Sequence, residues 1–226
     1  MNNFYSIAID GPSGAGKSTI ARAAAEHFGF LYVDTGAIYR TVGVAAWKRS
    51  IEPTDSVNVI AMLPALQIQL VHGEDGLQHM LLDGEDVTDT IRQPEISMYA
   101  SAVSAIPEVR AYLMDTQRNL AASNHVIMDG RDIGTVVLPN AGLKIFLTAT
   151  PEDRANRRYL ELLARGIDTS YEEVLRDIQI RDKNDSSRAA APLRPADDAV
   201  FLDTTGFKFE QSCELIFAQI QERFAL

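Results

Sequence analysis

The sequence predicts an α/β protein: a five-stranded parallel sheet flanked by helices, with a small inserted subdomain and an arginine-rich segment. Three observations lead there. Five short apolar runs, near 4–9, 30–33, 125–128, 143–148 and 199–202, alternate with longer helical stretches. That is the pattern of strands buried on both faces between crossover helices. A glycine-rich turn follows the first run directly. Between about 66 and 91 the texture changes: LQIQLVH and LQHMLLDGEDV alternate apolar and polar residues, split by Gly73-Glu74-Asp75-Gly76 and by Asp83-Gly84. Those are hairpin signals and predict a small antiparallel sheet.

The first run breaks at Gly11-Pro12 and reads as a strand. The alanine-rich stretch 17–28 reads as a helix, 30–33 as a second strand and 37–49 as a helix. Thr54 is the expected cap of a further helix running towards Leu66. A helix resumes over 108–122 after Pro107, and others are expected at 152–164, 170–188 and 208–223. One domain is expected, with a core of 1–61, 101–150 and 192–226, an insertion at 62–100 and a separate segment at 151–191. There is no internal repeat or low-complexity tract.

Composition narrows the function. The chain has 226 residues, 46% hydrophobic and 23% charged, with 21 Lys and Arg against 31 Asp and Glu, a net charge of −10. A chain this acidic repels nucleic acid and anionic membranes, so neither is an expected partner. The single cysteine, Cys213, excludes an intrachain disulfide and a cysteine-rich zinc site; it is expected to be a buried small hydrophobe. No apolar stretch reaches membrane-spanning length, and the opening MNNFYSIAIDG lacks a basic leader region, so a cytoplasmic protein is expected. A monomer is the default. Trp47, Phe28 and Phe30 are expected in the core, with His72 and His79 exposed.

The chemistry starts at residues 11–18. Gly11-Pro12-Ser13-Gly14-Ala15-Gly16-Lys17-Ser18 fits G-x-x-x-x-G-K-[ST], the phosphate-binding P-loop. Glycines let backbone N–H groups turn inward onto phosphate oxygens. Lys17 reaches the β- and γ-phosphates, the Ser18 hydroxyl ligates Mg²⁺, and the next helix points its N-terminus at the anion. Thr19, in that first turn, joins the expected ATP-binding set. The motif sits between a predicted strand and a predicted helix, the context it requires.

A P-loop does not by itself separate ATPases, GTPases and small-molecule kinases. A GTPase needs N-K-x-D, and Asp182-Lys183-Asn184-Asp185 does not match; Asp203-Thr204-Thr205-Gly206 fits D-x-x-G but reads as a strand end and turn. A motor ATPase has a water-activating Glu after the third strand, where this chain has Met128-Asp129-Gly130. Arginines point instead to a second phosphate. Arg154, Arg157 and Arg158 are spaced to share a helix face, as are Arg181, Asp185 and Arg188. Residues 154–194 hold nine Lys and Arg against seven Asp and Glu, a locally positive segment in an acidic chain. Asp129 is read as a carboxylate that orients Mg²⁺ or its water, with Asp10 and Asp34 as weaker candidates at other strand ends. Glu172-Glu173 and Asp182-Lys183 read as solvated helix face.

Four segments carry a resemblance. Asp10 to Ser18, Asp34-Thr35-Gly36-Ala37-Ile38-Tyr39-Arg40, Asp129-Gly130-Arg131-Asp132-Ile133-Gly134-Thr135-Val136-Val137, and Arg181-Asp182 through Arg188 to Leu193 closely resemble bacterial-type cytidylate kinases, P-loop nucleoside monophosphate kinases. The resemblance covers nearly the whole chain. It implies transfer of the ATP γ-phosphoryl group to CMP or dCMP with Mg²⁺, and makes the 62–100 insertion part of the monophosphate-binding region. It implies that Lys17 and the glycine loop hold ATP phosphates. Thr35, which keeps the hydroxyl of the family's serine, joins the CMP set. Tyr39, Arg40 and Arg131 would hold the monophosphate; Ser101, Arg110 and Asp132 would read cytosine. Arg181 and Asp185 would touch the sugar and Arg188 the acceptor nucleotide. Arg154, Arg157 and Arg158 would lie on a mobile lid, 151–191, over the transferring phosphate.

Those assignments suit the chemistry. A phosphate monoester with a second pKa of about 6 is mostly dianionic at pH 7 and needs no general base. What is left is to neutralise and align two like-charged substrates, for which the arginine fork is suited. The rival readings are another kinase of this fold acting on AMP, dephospho-coenzyme A or shikimate, where an alcohol acceptor would need Asp129 as base, and a non-catalytic nucleotide switch.

Overall fold

A computed structural model describes residues 4–73 and 77–226. In chain order the elements are β1 (Ser6–Asp10), α1 (Lys17–Phe28), β2 (Leu31–Asp34), α2 (Thr35–Lys48), α3 (Ser56–Met62), β3 (Ile68–His72), β4 (Gln78–Leu82), β5 (Glu85–Asp86), α4 (Pro94–Val103), α5 (Pro107–Ser123), β6 (Val126–Gly130), β7 (Leu143–Thr148), α6 (Pro151–Ala164), α7 (Tyr171–Ser187), β8 (Val200–Asp203) and α8 (Phe209–Phe224). Short 3₁₀ turns cover Leu63–Ala65 and Thr90–Arg92, and a π-helical turn covers Ile133–Val137. Among the described residues no helix is long and apolar enough to cross a membrane. The chain forms two compact units, Met1–Tyr32 with Ala121–Leu226, and Val33–Leu120.

The first unit is built on the predicted sheet, in the order β2-β6-β1-β7-β8. β1 runs parallel to β6 on one side and β7 on the other, and β7 runs parallel to β8. Central strands buried on both faces read as continuous apolar runs, and Ile7, Ala8, Ile9, Val126, Ile127 and Met128 are fully buried. The Ile20-Ala21-Ala24-Ala25 stripe of α1 and Cys213, Ile216 and Ile220 of α8 pack into that core. Cys213 is buried as expected; Phe28 and Phe30 are half-buried against the core rather than inside it. Register places Asp10 beside Gly130, and Ile9 beside Asp129. The carboxyl ends of β1 and β6 therefore present their side chains together, at the edge where open parallel sheets bind ligands. α6 and α7 pack as a helical pair through Ala155, Leu162, Val174 and Ile178.

The second unit contains the expected antiparallel sheet, β3-β4-β5, with Ile68 opposite Leu82 and Leu70 opposite Met80. The predicted turn at Gly73-Glu74-Asp75-Gly76 lies at 74–76, outside the described residues. α2 and α4 pack closely: a Cβ on Gly43 would lie 3.1 Å from Tyr99 Cβ. Trp47 is half-buried, and His79 is half-buried rather than exposed, 3.2 Å from Asp86.

Several boundaries moved for local reasons. α2 starts at Thr35 because the Asp34 carboxylate accepts the Ala37 N–H at 2.9 Å, a side-chain N-cap. α3 is capped by Asp55, not Thr54, and is short because Pro64 closes it in a 3₁₀ turn. α4 has no counterpart in the sequence reading: it starts at Pro94, a favoured first helical residue, after the alternating stretch that ends near 91, and it runs past the expected end of the insertion at 100. α7 ends at Ser187, so Arg188 is an extended residue beyond the helix and does not share a face with Arg181 and Asp185.

Candidate active site

The phosphate loop leaves β1 at Asp10 and enters α1 at Lys17. Two glycines are required by geometry. Gly11 has φ of 151°, and a Cβ there would sit 1.9 Å from the Leu147 carbonyl oxygen. Gly16, the N-cap of α1, has φ of 84°, a left-handed conformation costly for other residues. Ala15 is fully buried, while Thr19 is exposed. Lys17 is buried and its ammonium donates to the Pro12 carbonyl at 2.7 Å. Burial, and then the nearby Arg131 guanidinium, hold the Lys17 pKa well below its ordinary value.

Ser18 Oγ donates to Asp129 Oδ2 at 2.9 Å, and the buried Tyr32 hydroxyl donates to Asp129 Oδ1 at 2.8 Å. Among the described residues no cluster of three or more His, Cys, Asp or Glu is arranged to hold a metal ion alone. A serine hydroxyl beside a carboxylate, at the start of a phosphate-binding helix, is nevertheless a hard-oxygen donor set. It fits a Mg²⁺ that takes most of its ligands from phosphate and water.

After β6 the chain carries Arg131 and Asp132. Arg131 Nε donates to Asp185 Oδ2 at 2.7 Å, and its Nη1 donates to the Gly130 carbonyl at 3.3 Å. Burial alone would raise the Asp185 carboxyl, but Arg131, with Arg181 and Arg188, holds it below the ordinary value. Asp132, 4% exposed, lies 3.5 Å from Arg188 Nη2. The structure thus brings Lys17, Asp129, Arg131, Asp132, Arg181, Asp185 and Arg188 into one connected set of charges.

The three arginines of α6 take different partners, but Arg154 and Arg157 both lie against the phosphate loop: a Cβ on Gly14 would be 3.1 Å from Arg154 Cβ, and one on Gly16 would be 3.7 Å from Arg157 Nη1. Arg154 is 3% exposed. It donates to the carbonyls of Ala149 (2.8 Å) and Ser13 (2.9 Å) and binds both carboxylate oxygens of Asp182, at 3.0 and 2.6 Å. Asp182 is therefore an internal partner rather than solvated helix face. Arg157 donates to the Thr204 carbonyl at 2.6 Å and pairs with Asp153. Arg158 pairs with Glu161 at 2.7 Å.

In the second unit, Arg40 lies 3.7 Å from Asp34. Asp34 is thereby both helix cap and ion-pair partner, which accounts for it without a metal role. Thr35 is buried in the first turn of α2. The Arg110 guanidinium, buried, stands over the Tyr39 ring at 5.6 Å and donates to the Ser104 carbonyl at 3.3 Å. The Ser101 carbonyl accepts the Ser104 hydroxyl at 2.9 Å. Tyr39, Arg110 and the Ser101 turn of α4 are thus linked through Ser104.

The sequence reading missed Tyr32, Asp182 and the role of Asp10. Tyr32 stood in an apolar strand and Asp182 in a charged helix, and neither carried a spacing signal.

Comparison with known proteins adds the family. The cytidylate kinase family model matches residues 7–222. The chain is 55% identical over 207 residues to a cytidylate kinase of Caldicellulosiruptor bescii, covering 91% of this chain and 90% of that one. It is 48% identical over 223 residues to a cytidylate kinase of Desulfitobacterium hafniense, covering 99% and 95%. A solved structure of an uncharacterized protein from Eubacterium ventriosum aligns with a TM-score of 0.54 at 12% identity over 97% of this chain and 99% of that one, a likeness of fold alone. With a match this long, over the segments that build the phosphate loop and the Arg131 turn, the chain belongs to the cytidylate kinase family.

Proposed function

We propose that this protein is a cytidylate kinase, an ATP-dependent phosphotransferase that moves the γ-phosphoryl group of ATP to the phosphate of CMP or dCMP, giving CDP or dCDP. The observation that carries the reading is the Lys17 side chain, buried in the phosphate loop with its ammonium donating to the Pro12 carbonyl at 2.7 Å. The adjacent Ser18 hydroxyl is held on Asp129 at 2.9 Å, and the Arg131 guanidinium is fixed on Asp185 at 2.7 Å. Fixed cations beside a phosphate loop are complemented by phosphate oxygens, and phosphoryl transfer depends on such fixed charge.

Gly11, Pro12, Ser13, Gly14, Ala15, Gly16, Lys17, Ser18 and Thr19 serve the ATP phosphates, with Arg154 supporting the loop from behind and Arg157 and Arg158 bearing on the transferring group. Ser18, with Asp129 beside it, would hold Mg²⁺ together with the nucleotide phosphates, and the ion would supply further neutralisation of phosphate charge. Thr35, Tyr39, Arg40, Ser101, Arg110, Arg131, Asp132, Arg181, Asp185 and Arg188 serve CMP. The acceptor oxygen of CMP is already anionic, so no residue needs to take a proton. Both Asp129 oxygens accept hydrogen bonds, which favours a phosphate acceptor over an alcohol needing Asp129 as base.

Base choice follows from hydrogen-bond polarity. The Asp132 carboxylate accepts from the cytosine N4 amino group and Arg110 donates to the ring acceptors. Uracil presents an oxygen where the amino group stood, so UMP is a poor substrate. Closure of the 151–191 segment over both nucleotides excludes water, so ATP hydrolysis without CMP is slow. The enzyme works as a cytoplasmic monomer. A coupled ADP-release assay with CMP, dCMP, UMP, AMP and shikimate tests the reading: turnover with CMP and dCMP far above the rest supports it, and preference for AMP or shikimate rejects it.

A further inference from the structure

The main chain of Asp10 leads into the phosphate loop, but its side chain reaches the neighbouring strand's exit. Asp10 Oδ1 accepts the Ile133 N–H at 2.7 Å, and Oδ2 accepts the Gly134 N–H at 2.7 Å. These are the first two residues of the π-helical turn Ile133–Val137, which directly follows Arg131 and Asp132. Opening N–H groups of a helical turn need acceptors. Asp132 stands at the cap position but makes no side-chain cap bond. Asp10 caps the turn in its place, from 123 residues away, and the Asp132 carboxylate is left to face Arg188. The turn is also wedged: a Cβ on Gly134 would lie 3.1 Å from Lys144 Cδ and 3.3 Å from Asp10 Oδ2. Single π turns recur at functional sites.

We propose that Asp10 is a positioning residue of the phosphoryl-transfer site. By holding the Ile133 and Gly134 amides, it fixes Arg131 and Asp132 relative to the phosphate loop that begins at Gly11. The proposal deepens the cytidylate kinase reading and rests on it. Asp10 shares one covalent stretch with the ATP-binding loop and one bidentate contact with the acceptor-side turn, so a displacement of either is transmitted to the other. A bulky apolar residue would fill the volume, but only a carboxylate offers two acceptors to two successive N–H groups. The cost is a buried charge: burial pushes the Asp10 carboxyl up to about 6, against the stabilising Ile133 and Gly134 N–H groups and Lys17, with Asp132 opposing ionisation. Arg131 also lies within its field.

Asp10→Asn keeps the shape and removes one acceptor. Binding of CMP and of a non-hydrolysable ATP analogue would be measured separately by calorimetry, alongside kcat and KM and the amide exchange of Ile133 and Gly134. The expected result is CMP binding weakened at least about tenfold and kcat lowered similarly, ATP-analogue binding within about threefold of wild type, and faster exchange at both amides. Equal loss for both nucleotides, or no loss for either, overturns the proposal. If Asp10→Asn does not fold, the same measurements are made on Gly134→Ala, whose Cβ would lie 3.3 Å from Asp10 Oδ2, and faster exchange at Ile133 with unchanged CMP binding in that variant overturns the proposal. A wild-type protein that does not bind CMP sinks the functional reading and this role with it; normal wild-type binding with an indifferent Asp10→Asn sinks the role alone.

Discussion

The hydroxyl of Tyr32 lies 2.8 Å from Asp129 Oδ1 and donates to it, while the other carboxylate oxygen takes the Ser18 hydroxyl at 2.9 Å. Tyr32 is on β2 and Asp129 at the end of β6, adjacent strands of the sheet. The phenol is buried at 8% exposure, so the bond is sheltered from water and orients the carboxylate towards the phosphate loop.

Tyr32→Phe removes that donor and leaves a carboxylate oxygen without it. Hydrogen bonds to charged groups contribute about 2 kcal/mol, and a comparable loss of unfolding free energy is expected in a denaturant titration. The Mg²⁺ concentration for half-maximal ATP binding should also rise, because Asp129 is no longer held in one orientation. A variant with unchanged stability and unchanged Mg²⁺ dependence would show that the bond positions nothing.

The Arg154–Asp182 pair is expected to behave as a buried, cooperative unit. Arg154→Ala strands the Ser13 and Ala149 carbonyls as well as Asp182, and a broken buried pair costs about 3 kcal/mol. Asp182→Ala should cost less, since Asp182 is partly exposed. A double-mutant cycle read by thermal melting should give much less than the sum of the two losses. Because Arg154 donates to Ser13 within the phosphate loop, KM for ATP should rise more than KM for CMP in Arg154→Ala. Strict additivity, or an ATP KM like the wild type's, would remove Arg154 from loop support.

Two carboxylates give opposite pH signs. The Asp10 pKa is raised to about 6 from 3.8, so its contribution to stability is fully present below about pH 3.8 and is lost as pH rises through about 6. Relative to Asp10→Asn, wild-type unfolding free energy should fall by about 2 kcal/mol between pH 4 and pH 7. The Asp185 pKa is depressed despite burial, through Arg131, Arg181 and Arg188. Its contribution is present above pH 3.8 and is lost only as pH falls through its lower folded value, so Asp185→Asn should flatten the acid limb of the stability curve. Parallel curves for wild type and both variants would contradict both assignments.

Asp132→Asn should narrow the preference for CMP over UMP at least about tenfold in kcat/KM, because an amide can donate to the uracil oxygen. Arg188 shares Asp132, so CMP turnover should also drop. Discrimination equal to wild type would take Asp132 out of base reading.

What was legible in the sequence was what local chemistry encodes. The glycine loop needs conformations that Gly11 and Gly16 supply, and α1 follows it at the predicted residues. The buried strands are apolar runs because both of their faces are covered. The antiparallel subsheet showed in its alternation. α4 did not show, because a ten-residue helix of mixed composition has no distinctive period. The π turn did not show either, since its geometry comes from Asp10 and Lys144 outside it.

By itself the sequence determined the layer architecture, the phosphate loop and the supply of guanidinium groups, since each is written in spacing or in backbone freedom over a few residues. Only the tertiary structure decided which charge meets which: Arg131 with Asp185, Arg188 with Asp132, Arg154 with Asp182 and Ser13, Asp10 with the turn after β6. Except for Arg188, arginines that looked equivalent on paper kept their helical register, yet each found a different partner. The physical reason is that a buried charge must be matched by whatever packing brings within hydrogen-bond reach, across separations such as 54 and 141 residues, and no local pattern encodes that match.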